Sequence, residues 1–150
     1  MLEDIYNYLE LSESIATSGQ PSESQIADIA ETGYQLVINL ALSNTKNSLS
    51  DERSTVESYR MEYIHLPVIW EYPTVENLES FCDVMDANQE KKIFVHCAAN
   101  MRVSAFMALY RIRRLGWSPE EAFQDMQRIW TPEAWWRDFI LAVLPSEDTA

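Results

Sequence analysis

Three short apolar runs rich in β-branched and aromatic residues, YQLVINLAL (34–42), MEYIHLPV (61–68) and KIFVHC (92–97), alternate with stretches whose apolar residues recur at helical spacing. No other feature constrains the fold as much. The runs are too continuously apolar for strands with one wet face, so they read as strands buried on both faces. Strands joined through helices run parallel, because a crossover rather than a hairpin connects them. The expected fold class is α/β: a three-layer αβα domain with a mainly parallel central sheet and its site at the carboxyl ends of the strands. A chain of 150 residues with neither repeat nor linker suits one core, so 1–150 is expected to be a single domain.

Punctuation residues place the helices. Ser22 and Gln25 form a capping-box pattern after Pro21, Ile26, Ile29 and Ala30 follow at helical spacing, and Gly33 closes the segment. A shorter helix is expected over 51–59, and from Thr74 the residues Val75, Leu78, Phe81, Cys82 and Met85 share one helical face. RVSAFMALYRIRRLG makes a helix stopped by Gly116, while Ser118-Pro119 and Thr131-Pro132 mark two further starts. Ser43–Ser50 reads as a loop. Trp130, Trp135, Trp136 and Phe139 are expected to pack in the core, and Arg111, Arg113 and Arg114 to form a solvated face.

Charge and cysteine content exclude several functions. With 24 acidic against 11 basic residues the formal charge is -13, which opposes nucleic-acid binding, because phosphate backbones are held by cations. The opening MLEDIYNYLELSES is acidic where a signal peptide needs a basic start, and no stretch approaches 18 apolar residues, so a cytoplasmic protein without membrane attachment is expected. Two cysteines are too few for a disulfide framework. Cys82 lies on an apolar helix face and reads as packing, so it is Cys97 that calls for its own explanation.

Cys97 stands where the strand IFVH enters a tight turn, AAN, that opens directly into a helix. The first N–H groups of a helix have no intrahelical partners and lie at its positive dipole end, so such a turn binds an oxyanion and biases a cysteine toward thiolate. Ala98, Ala99, Asn100 and Met101 supply the cradle, and Asn100 tolerates a left-handed backbone. Arg102 adds a planar cation suited to two phosphoryl oxygens, and Ser104 has a hydroxyl to offer the sulfur. Neighbours on a strand face opposite ways, so His96 reads as an orienting residue rather than the general base of Cys97. Asn39 and Gln20 either tie the loop to neighbouring backbone or satisfy their own strand end and turn. His65 reads as a core histidine.

These residues resemble the cysteine-dependent protein tyrosine and dual-specificity phosphatases, whose motif is His-Cys, five residues, Arg and Ser or Thr. Here four residues separate Cys97 from Arg102, and Val103 precedes Ser104. The resemblance is closest to a small bacterial phosphatase-like family with this shortened loop, in the form HC-x-A-N-x-R-x-S. ATSGQPS (16–22), VINL (37–40) and the LPV…W…P element (66–73) are similar to it as well. The resemblance implies a cysteinyl-phosphate intermediate on Cys97, with Arg102 and loop amides stabilising the phosphoryl oxygens and no metal or organic cofactor.

The implied substrate is a phosphorylated protein or a small phosphorylated metabolite, with inorganic phosphate or sulfate also bound at the loop. The general acid is expected in the form P-V-D-W, yet Ile69 stands in place of the Asp. Glu71 is the nearest carboxyl, read either as a replacement acid or as a solvated loop residue. Two alternatives follow. One is a pseudophosphatase that binds phosphate without turnover, and the other a sulfur-transfer enzyme using a Cys97 persulfide.

Overall fold

The computed structural model describes residues 1–43 and 48–144. A 3-10 turn, Leu2–Asp4, precedes strands β1 (Leu9–Glu10) and β2 (Ile15–Ser18). Then follow α1 (Glu23–Glu31), β3 (Leu36–Asn39), α2 (Glu52–Ser58), β4 (Glu62–His65), α3 (Val75–Ala87), β5 (Ile93–His96), α4 (Met101–Leu115), α5 (Pro119–Gln127) and α6 (Ala134–Val143). The sheet order is β1-β2-β5-β3-β4, with β1 antiparallel to β2 and the other three pairings parallel.

The period of two along each strand divides the core into two layers. Leu36, Ile38, Ile93 and Val95 face α3, α4, α5 and α6, whereas Val37 and Phe94 face α1, α2 and the 3-10 turn. This is the three-layer αβα arrangement expected from the alternation of elements. Helix α4 is covered by its neighbours along most of its length, with Val103, Ala105, Phe106 and Leu109 fully buried. The capping box of α1 is present in both directions, and Gly116, at φ 77°, stops α4.

Four expectations are corrected: Arg111 is buried and paired with Asp125 rather than on a solvated face, and Trp135 is exposed rather than packed in the core. Among the described residues the sheet has five strands rather than three, because β1 and β2 carry no apolar run. The IATS of β2 becomes strand by pairing with β5 along its whole length, which buries Thr17 and Ser18 despite their hydroxyls. The last helix starts at Ala134, not at Thr131-Pro132, and Glu133 at its N-cap makes no side-chain cap. Its position is set by tertiary anchors instead: the indole N–H groups of Trp135 and Trp136 both donate to Trp70 O at 2.8 Å. The loop expected at Ser43–Ser50 lies partly outside the described residues.

Candidate functional site

The site lies where β5 ends and α4 begins. A cleft of about 250 Å³ is lined by Trp70, Cys97, Ala98, Ala99, Met101 and Arg102. Asn100 takes the left-handed conformation, φ 65° and ψ 8°, that lets the turn enter the helix. Its side-chain amide donates to Asn7 O and Thr17 Oγ1, both at 2.9 Å.

Every carbonyl of the turn is tied down. Cys97 O faces His96 Nδ1 at 3.3 Å, Ala98 O accepts from Gln20 N at 3.0 Å, and Ala99 O accepts from Asn7 Nδ2 at 2.9 Å. Asn100 O accepts from Ser104 N and Met101 O from Ser104 Oγ. A trans peptide points each carbonyl and the following N–H in opposite directions, and no peptide here is cis. The anchoring therefore turns successive N–H groups away from the supporting elements. The first hydrogen bond of α4 is Ser104 N to Asn100 O, so the N–H groups of Met101, Arg102 and Val103 precede the helix's own ladder. The turn thus leaves backbone N–H groups at the cleft without partners in the ladder of α4.

Gly19 allows the close approach of the β2–α1 turn to this loop. A Cβ there would lie 2.6 Å from Ala98 O and 2.7 Å from Tyr6 Cδ2. Arg102 is 8% exposed, and its Nη1 donates to Val68 O at 2.8 Å, which lays the guanidinium along the cleft wall. Behind the loop, His96 Nε2 meets Glu52 Oε2 at 2.6 Å, and Gln20 Nε2 donates to Glu52 Oε1 at 2.8 Å.

The sequence model of a family described as PTP-NADK, "DSP-PTPase phosphatase fused to NAD+ Kinase", matches residues 4–133. The chain belongs to this family. Two "Beta-lactamase hydrolase-like" proteins of Xylella fastidiosa, strains Temecula1 and 9a5c, are 25% identical over 107 residues, 69% of this chain and 25% of theirs. The chain thus spans about a quarter of the length of these curated relatives. A DUF442 protein of Shewanella putrefaciens CN-32 is 31% identical with a TM-score of 0.86, covering 95% of this chain and 93% of that one. Tk-PTP in its active form shares the fold at a TM-score of 0.75 and 21% identity, covering 92% and 95%. The αβα domain is therefore that of the cysteine-dependent tyrosine and dual-specificity phosphatases.

Within this PTP-NADK domain the residues singled out in the sequence fall into three groups. Cys97, Ala98, Ala99, Met101 and Arg102 share the cleft, with Asn100 buried beneath it. His96 and Gln20 support the loop from behind. Asn39, Ser104 and Glu71 stand elsewhere. Asn39 donates to Tyr63 OH at 3.0 Å and accepts from Ala41 N at 2.8 Å, so it satisfies its own strand end.

The Ser104 hydroxyl donates back to Met101 O and accepts from Trp130 Nε1 at 3.0 Å; its proton is spent within α4 instead of on the sulfur. Glu71 is exposed and is not among the residues lining the cleft, and Ile69, at the expected acid position, is half exposed. Burial pushes the Cys82 thiol up to about 11, as suits a packing cysteine.

Glu52, Asn7 and Trp70 join the site without a motif of their own. Glu52 and Val56 are four apart on α2 and share its buried face, so a carboxylate on an apolar stripe was the available signal. Asn7 carried none, since its contact with the loop spans 92 residues. Trp70 stands in the LPV…W…P element, and its ring packs on Trp130 and Trp136 at 5.4 and 5.5 Å between centroids.

Proposed function

We propose that the domain hydrolyses phosphate monoesters through a cysteinyl-phosphate. The observation that carries this reading is the convergence of the Cys97 thiol and the Arg102 guanidinium on one cleft whose floor is an anchored backbone cradle. Cys97 Sγ attacks phosphorus, the bond from phosphorus to the ester oxygen breaks, and the cradle N–H groups with Arg102 hold the equatorial oxygens. Water then attacks the cysteinyl-phosphate, releasing inorganic phosphate and the thiolate. The protein's share is geometry and electrostatics, and the chemistry requires no metal or organic cofactor.

Arg102 is the one cation among the residues lining the cleft, and Trp70 and Met101 form its apolar walls. This composition suits a single phosphoryl group carried on an apolar or aromatic part of a protein or small molecule. A structural neighbour, TpbA of P. aeruginosa, was solved in complex with pTyr. Among the described residues no helix is long and apolar enough to cross a membrane. Its negative charge leaves recognition of phosphate to local contacts.

A second reading has its own support. None of the six lining residues is a carboxylate, so a phosphate-binding pseudophosphatase is the form this cleft takes if the leaving group is never protonated. An activated aryl phosphate beside an alkyl phosphate, wild type against Cys97→Ser, separates the two. The catalytic reading expects aryl turnover that is abolished in Cys97→Ser. Vanadate protection of Cys97 from alkylation without hydrolysis of either ester establishes the binding module. Sulfur transfer from thiosulfate, absent in Cys97→Ser, would replace both.

A further inference from the structure

The cleft gives Trp70 a role but leaves large apolar side chains in water beside it. Ile69, Tyr72 and Val75 are 50%, 72% and 45% exposed, and Trp135 on α6 is 44% exposed. They stand together. Tyr72 N donates to Ile69 O at 3.1 Å, which folds 69–72 into a tight turn, and the Trp135 indole donates to Trp70 O within that turn. Trp70 lines the cleft, so this apolar shelf continues the wall of the Cys97 site. Single exposed apolar residues are ordinary, whereas several gathered at the edge of a cleft mark a surface that a partner covers.

Charge narrows what that partner is. Exposed carboxylates interleave with the shelf: Glu71 and Glu76 flank Tyr72 and Val75, and Glu133 and Asp138 stand before and after Trp135. Among the described residues none of these four is in an ion pair, whereas Glu79, Asp83 and Asp86 further along α3 are matched by Arg113 and Arg114. Arg137 is the one cation of α6, and the loop over 66–74 carries none. A second copy of this chain or an anionic lipid surface would bring negative charge onto an acidic shelf, which disfavours both.

We propose that the shelf docks a protein segment carrying basic and apolar residues beside its phosphorylated side chain, so that the substrate is a phosphoprotein with basic flanks rather than a small phosphorylated metabolite. This rests on the reading of the Cys97 cleft as the phosphoryl site. The phosphoryl group meets Arg102, apolar flanking residues cover Ile69, Tyr72 and Trp135, and lysines or arginines meet the unmatched carboxylates. A small ester ends within the cleft and gains nothing from the shelf. Charges at such a rim steer encounter and choose the partner, and salt screens them.

Fluorescence anisotropy of labelled phosphotyrosyl peptides on Cys97→Ser reads binding without turnover. Peptides of one length carry Lys-Leu-Lys, Ala-Leu-Ala or Glu-Leu-Glu on both sides of the phosphotyrosine. At about 20 mM NaCl the Lys peptide is expected to bind about 10-fold tighter than the Glu peptide, and about 300 mM NaCl should shrink that gap. Adding Glu133→Lys and Asp138→Lys should narrow it several-fold, and Tyr72→Ser should weaken the Lys peptide. Equal affinity for the three peptides overturns the proposal, as does a gap that the two charge reversals leave unmoved. Should a variant fail to fold, the ranking of the peptides on Cys97→Ser alone decides. Dimerisation lost in Tyr72→Ser, or binding to anionic vesicles, would give the shelf another occupant and overturn it too. A Lys peptide that binds equally well without its phosphate overturns the phosphatase reading of the cleft and leaves the docking surface standing.

Discussion

Asn100 holds the loop in two ways that different substitutions separate. Its backbone sits at φ 65°, and its fully buried amide donates to Asn7 O and Thr17 Oγ1. Left-handed backbone costs a residue with Cβ roughly 1–2 kcal/mol, and each lost hydrogen bond about 1 kcal/mol. Its Oδ1, buried with no partner among the described residues, offsets part of this loss when removed. Asn100→Ala should therefore destabilise by about 2–4 kcal/mol in urea unfolding, and Asn100→Gly by about half as much. Equal costs for the two would show that the backbone conformation contributes nothing. At Arg102, a lysine retains the charge but cannot both reach Val68 O and present a two-pronged face to an anion. Vanadate affinity of Arg102→Lys should fall by about 10-fold with the melting temperature little changed, as titration calorimetry would read.

The loop is shaped by elements that come from elsewhere in the chain. The β2–α1 turn presses so closely on it that Gly19→Ala forces a Cβ to within 2.6 Å of Ala98 O, a backbone atom that Gln20 N already holds. The cradle must shift, and aryl phosphate turnover is expected to drop by about 10-fold or more, because small displacements of a preorganised site are costly. Turnover equal to wild type would mean that the turn yields instead. The β4–α3 loop is held by the indoles of α6 on Trp70 O, which fixes where Ile69 can reach. Ile69→Asp should raise alkyl phosphate turnover by roughly 10-fold, short of a full general-acid factor because the loop was not shaped for it. Glu71→Gln should leave both esters within about twofold, since that carboxyl stands away from the cleft. A loss near 100-fold would instead make Glu71 the acid.

Acid and salt act on the molecule as a whole, through its excess of carboxylates. The Glu52 carboxyl lies below its ordinary value of 4.5 in the folded protein. Its contribution is thus fully present above that value and lost as pH falls through the lower, folded one. Acid unfolding should be shallower in Glu52→Gln than in the wild type below about pH 4.5, which melting temperature against pH would measure. A formal charge of -13 also repels itself across the fold. Raising NaCl from about 10 to 150 mM shortens the screening length from about 30 to 8 Å, and the melting temperature should rise by roughly 2–4 °C. Ion pairs such as Arg114 with Asp83 oppose this trend weakly, because exposed pairs contribute little and are screened as well.

The αβα class, the parallel pairing of the 34–42, 61–68 and 92–97 strands, and the cradle from Cys97 to Arg102 were legible because each rests on local signals. Continuous apolar runs mark buried strands, capping residues mark helix starts, and the AAN turn between a strand and a helix marks where one gives way to the other. β2 leaves no mark in the sequence because Thr17 and Ser18 are buried only through pairing with β5, and a strand of hydroxyl residues has no apolar pattern. The hydroxyl of Ser104 points in sequence to the sulfur, whereas helix geometry directs it to Met101 O. The amino-acid order by itself therefore determined the turn from Cys97 to Arg102 that lines the cleft. Tertiary structure alone decided what holds it: Asn7, Gln20 and Glu52 lie 45 to 90 residues from Cys97 in sequence, and their contacts follow from strand order and strand parity, which set neighbours across the sheet without leaving a mark at short range.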